Sequence, residues 1–215
     1  MPRELTSPYK FGGGALVASG ILFVVLAFLD VRAGPPPSNG AEILMWRDSQ
    51  ALVLDFASEL LFVATVLLVP GTVAVYQSLV DVDRTKAATG CGIIAATIPV
   101  MAVMLIVHGR LVYPIYGMRV ATPEAAALVV MVFYGGLHAI YLLLAVATIV
   151  LSLAMRRGAY AKWIASFGFA TAALDIIGSY PWAIGSVLTL VCELAFGGWF
   201  VAVGSQLFRM RGSAA

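Results

Sequence analysis

Charge is the scarcest ingredient of this sequence: Lys, Arg, Asp and Glu together make up 11% of 215 residues, against 61% hydrophobic residues. A water-soluble domain of that size needs a polar exterior, and so few charges do not supply one. The formal net charge of +2, with no long basic run and no interleaved aromatic platform, speaks against nucleic acid as a partner. Cysteine is nearly absent. Cys91 and Cys192 fall at different depths of the helical bundle described below, too far apart for a disulfide. The two histidines, His108 and His138, each lack a second His, Cys or carboxylate three or four residues away, so no helical metal site is expected, and no cofactor. A bis-histidine haem fails on depth, because the two rings are offset by roughly 10 Å of helix rise. No CxxC, HExxH, Walker-type glycine loop or GxSxG elbow occurs, which removes the signatures of the common soluble chemistries.

What the chain has in abundance is long apolar runs. Six stretches approach or exceed the 20 or so residues that span a bilayer: 11–31, 52–80, 87–108, 124–155, 162–179 and 183–208. Period-two alternation is missing, and backbone groups in lipid must bond within their own segment, so the expectation is an all-α, single-domain, six-helix membrane bundle. The breakers between spans are AGPPPSNGAE (33–42), the charged turns DVDRTK (81–86) and MRRGAYAK (155–162), and the tight SYPW connection (179–182). Nine of the thirteen basic residues fall at the termini and the two charged turns. Four, Arg32, Arg47, Arg110 and Arg119, fall on the other side, which places both termini in the cytoplasm. The first run ends in Asp30 and Arg32 without a small-residue cleavage site, so it reads as a span and not as a signal peptide. Trp46, Trp163 and Trp182 sit near span borders and read as interfacial anchors.

The stretch LVLDFASELLF (52–62) puts Asp55 and Glu59 on one face of an otherwise apolar helix. It is not alone. Tyr134, His138 and Tyr141 recur at i, i+4 and i+7 in the fourth span; Thr171 and Asp175 are four apart in the fifth; Thr189 and Glu193 are four apart in the sixth. By topology these groups share the outer half of the bilayer. Ionisable groups at such depth are costly and turn into the bundle, where they mark a site. Glu59, Glu193, Asp175 and His138 are therefore candidate acid/base groups, and Asp55, Tyr134, Tyr141, Thr171 and Thr189 candidate ligand contacts. The competing readings are an interfacial Asp55 favoured by the helix dipole and carboxylic acids acting as interhelical glue. His108 and Arg110 read as facing headgroups or water, and the pairs Gly135–Gly136 and Gly197–Gly198 as sites of close helix packing.

Three segments carry a resemblance: ELLFVATVLLVPGTVAVYQSLVDVDRTKAATG (59–90), LLAVATIVLSLAMRRGAYAKWIASFG (143–168) and CELAFGGWFVAVG (192–204). They resemble a bacterial family of six-helix inner-membrane proteins catalogued as a domain of unknown function. The resemblance implies that Glu59 and Glu193 occupy recurring acidic positions and that the chain resides in a bacterial inner membrane. It implies no reaction. His138, Asp175 and the proline-rich first loop lie outside the pattern.

The leading functional expectation is a polar pocket, open outward, for a small amphipathic or lipid-like ligand such as an isoprenoid. The alternatives are a membrane enzyme using a buried carboxyl as general acid on such a molecule, and a proton-coupled transporter or accessory subunit. Membrane lipids are expected partners, and an oligomer is compatible with the sequence.

Overall fold

Unbroken apolar runs between proline, glycine and charged turns leave the helix as the structure that satisfies its own backbone. The computed structural model describes residues 8–210, which form α1 (Pro8–Ala33), α2 (Gly40–Leu79), α3 (Arg84–Val112), α4 (Pro123–Met155), α5 (Lys162–Gly178), the single turn α6 (Pro181–Ile184) and α7 (Ser186–Arg209). Among the described residues there is no strand, only an isolated bridge between Ile115 and Met118. Five helices, α1, α2, α3, α4 and α7, are long and apolar enough to cross a membrane. α5 has 17 residues and rises about 25 Å. The outward surface carries exposed Ile21, Val25 and Phe28 on α1 and Val66, Val69 and Val73 on α2. Such an apolar exterior suits lipid and fits a multi-pass membrane protein.

Helix ends follow local chemistry. Asn39 caps α2 by accepting from the backbone N–H groups of Ala41 (2.8 Å) and Glu42 (3.4 Å), and Thr122 caps α4, with Pro123 at its first position, by accepting from Ala125 N–H (3.3 Å). Asp83 caps α3 through the Lys86 N–H and is also bonded by the Lys86 ammonium. That side-chain bond, the backbone bond and the nearby Arg157 hold the Asp83 carboxyl below the usual carboxylate range.

Neighbouring helices run antiparallel, as their contact registers show. The Ser19 hydroxyl donates to the Ala64 carbonyl (2.8 Å), tying α1 to α2. Ser58 Oγ meets His108 Nδ1 (2.8 Å) between α2 and α3. His108 and Phe133 rings lie 4.6 Å apart between α3 and α4. α7 returns along α5, with Thr171 Oγ1 donating to the Ala195 carbonyl (3.4 Å), and then closes against α1. Along that last seam Gly13 faces Gly204 and Gly20 faces Gly197. A Cβ built on Gly20 would lie 2.5 Å from the Gly197 carbonyl oxygen, and one on Gly204 would lie 2.7 Å from the Gly13 carbonyl oxygen. Only hydrogen fits there. Five long helices and the shorter α5 thus form a ring, α1–α2–α3–α4–α5–α7, with α2 leaning across to α4. Both described chain ends lie at one end of it, the terminal end; the loops 34–39, 113–122 and 179–185 form the distal end.

Several expectations are corrected here. α2 starts at Gly40, twelve residues before the expected span. Its first turns pack Ile43 against Leu111 and Ala126 as a small satellite core, which an apolar-run criterion does not detect. The last helix begins at Ser186 and not at residue 183, because Gly185 (φ +76°) breaks the chain after α6. The Trp46 indole N–H donates to the Ala33 carbonyl (2.9 Å), clamping α2 to the end of α1, a role its position near a span border did not announce. His108 does not face headgroups but is half-buried between Ser58 and Phe133. Of the glycine pairs, Gly197 and Gly136 abut neighbouring helices, Gly198 has only an ordinary contact with Phe167, and Gly135 has nothing within 4 Å. Cys91 and Cys192 are free, buried thiols near opposite ends of the ring.

Candidate functional site

The structure divides the candidate residues into two groups. On α2, Asp55 and Glu59 turn toward α3: the Tyr113 hydroxyl donates to the Asp55 carbonyl (3.0 Å) and to Glu59 Oε1 (3.2 Å). Glu59 is exposed, and Tyr113 is the side chain that bonds its carboxylate. Asp30 of α1 lies within electrostatic reach of Glu193. Burial, and then the bond to Glu59, pushes the Tyr113 hydroxyl up to about 12, so it remains a donor near neutral pH.

The second group gathers α1, α4, α5 and α7 at the distal half of the ring. Asp175 is fully buried, and neither of its carboxyl oxygens has a hydrogen-bond partner. Glu193 is half-buried and its Oε2 is likewise unpartnered. Tyr141 is within electrostatic reach of Glu193, Asp175 and Asp30, and Tyr134 of Asp30 and Glu193. Asp30 is exposed. No ion pair among the described residues involves these three carboxyls.

α5 is short beside α4. His138 Nδ1 donates to the Ser179 carbonyl (2.9 Å), so the end of α5 meets only the middle of α4. A carbonyl can only accept, which places the ring proton on Nδ1. The first four or so turns of α4 continue past α5, and no Cα of α4 comes within 8 Å of α1 or α7. Side chains cross that gap: the rings of Tyr141 and Phe196 are 6.1 Å apart. The loop 179–185 covers it, with Tyr180 and Trp182 rings 4.7 Å and 6.0 Å from His138.

The remaining candidates serve the frame. Thr189 Oγ1 donates within its own helix to the Gly185 carbonyl (3.0 Å), and Thr171 is taken up by Ala195, so neither hydroxyl donor is free for a ligand. His138 is committed through Nδ1 and belongs to the rim. The enclosed void at the centre of the bundle is about 10 Å³ and lined by apolar groups such as Leu16, Val75 and Ile94. It is at most water-sized. Among the described residues no cluster of three His, Cys, Asp or Glu side chains has the arrangement of a metal site.

Asp30 is the carboxyl near Glu193 that sequence reading did not single out. As the last acid of its span it resembled a flanking charge, and only the α1–α7 seam brings it beside Glu193. No protein-family model matches this chain, and no curated protein or solved structure does.

Proposed function

We propose that the chain is a six-span bacterial inner-membrane protein with cytoplasmic termini, and that its distal recess binds a small amphipathic or lipid-like molecule by the molecule's polar end. The antiparallel alternation of α1, α2, α3, α4, α5 and α7 and the nine-to-four distribution of basic residues support the topology. The single observation that supports the site is Asp175, fully buried with both oxygens unpartnered; Oε2 of Glu193 is unpartnered as well. Orphaned buried acceptors cost about 1–3 kcal/mol each when left unsatisfied, so a partner supplied from outside the chain is their natural complement. With three carboxyls and no paired cation, the recess suits a head that donates hydrogen bonds or carries positive charge, such as an amine or an alcohol. The tyrosine and Phe196 rings offer the apolar walls for the tail.

The test is mass spectrometry of small molecules co-purifying with the intact protein, repeated on Asp175→Asn and Glu193→Gln. One species retained by the native chain and lost from both folded variants supports the reading. Identical content in all three proteins overturns it. Reporter fusions to the C-terminus check the topology, and an extracytoplasmic signal would refute it.

A further inference from the structure

A second hollow lies at the terminal end, on the outer surface between α5 and α7. It is an open groove of about 370 Å³, within the 300–1,000 Å³ range of small-molecule sites. Its deep part is apolar: Phe167, Ala202 and Gly198, where the absent side chain leaves the floor low. Its shallow part is polar: Ser205 and the exposed Arg209, with Trp163 beside them, 59% exposed. From Gly198 to Arg209 the groove runs eleven residues, about 16 Å at helical rise. That is half of a 30 Å hydrocarbon core, the depth of one leaflet. Among the described residues no acidic side chain lines it. Lys162, Arg156 and Arg157 lie in the adjoining turn, while the acid bonded there, Asp83, is already engaged by Lys86 and Arg157.

We propose that this groove is a binding site for one anionic phospholipid, its acyl chain laid over Gly198 and its phosphate held by Arg209 and Ser205. The gradient from apolar floor to basic mouth matches the molecule along its length, and the tryptophan at the mouth sits where indoles favour the headgroup layer. The site is separate from the distal recess and stands whether or not that recess binds a ligand. It also holds for either orientation of the chain, since only the leaflet changes.

Native mass spectrometry of the full chain released from nanodiscs tests it, with phosphatidylglycerol and phosphatidylcholine in equal amounts. The native protein should retain one phosphatidylglycerol in about tenfold preference, the scale of one hydrogen bond to a charged group. Arg209→Gln should retain both lipids equally. Gly198→Leu fills the floor, and its Cβ meets only Phe167 at an ordinary 3.5 Å, so the protein should fold and retain neither lipid. Equal retention by the native chain, or an unchanged preference in Arg209→Gln, overturns the proposal. So does a Gly198→Leu variant that loses a dimer while keeping its lipid, which would assign the groove to a second copy of the chain.

Discussion

Replacing Gly20 by alanine is the sharpest test of how this bundle is held together. The added Cβ would sit 2.5 Å from the Gly197 carbonyl oxygen and 2.8 Å from Val201 N and Cγ2. To reach an ordinary contact of 3.4 Å, α7 would have to retreat by about 0.9 Å at that level, and two of the three obstructing atoms are backbone. Overpacking of this kind costs about 1–3 kcal/mol, while the gain in helix propensity from Gly to Ala is about 0.5–1 kcal/mol. The net expectation is destabilisation of about 1 kcal/mol or more. Gly135→Ala supplies the control: nothing lies within 4 Å of its added Cβ, so only the propensity gain remains and the sign reverses. Equilibrium unfolding in mixed detergent micelles measures both. A Gly20→Ala protein as stable as the native chain, or shifted in the same direction as Gly135→Ala, would refute the seam as a close backbone contact.

Asp83 gives a pH prediction. Its folded-state value is depressed by Lys86 and Arg157, so its stabilising contribution is present above the ordinary carboxylate value and is lost as pH falls through the depressed one; Asp83→Asn should keep the cap but flatten that acid limb in thermal melts. An acid limb as steep in the variant as in the native protein would refute the assignment. Asp175→Ala should raise stability, because it removes two orphaned buried acceptors worth about 1–3 kcal/mol each and leaves a carboxyl-sized void costing well under 1 kcal/mol at about 24 cal/mol per Å³. A clear loss of stability would return Asp175 to the role of structural glue.

The helices were legible because a bilayer span advertises itself by apolarity alone, and the turns at 81–86 and 155–162 by their charge. The extension of α2 was not, since GAEILMWRDSQ mixes polar and apolar residues in the manner of a loop. Its cap was readable in retrospect: Asn39 followed by Glu42 is a helix-start pattern, and the first turn uses it. Length also misled. It misled for α2 alone, where the run 52–80 belongs to a helix of 40 residues; the runs 124–155 and 162–179 became helices of 33 and 17 residues, so the shortness of α5 beside α4 was already legible.

The site was legible in depth and illegible in azimuth. Asp55 and Glu59 occupy the expected height, and the face of α2 that carries them meets Tyr113 at the end of α3, a choice set by which helices flank α2 and not by its own residues. The missing azimuth was nonetheless written elsewhere in the chain. Gly13 and Gly20 are seven apart, as are Gly197 and Gly204, and two such glycine pairs on antiparallel helices match in only one register, with Gly20 opposite Gly197. Carried up the seam, that register sets Asp30 opposite the start of α7, within two turns of Glu193. The glycines that have no chemistry of their own are what bring the carboxyls of the first and last helices together.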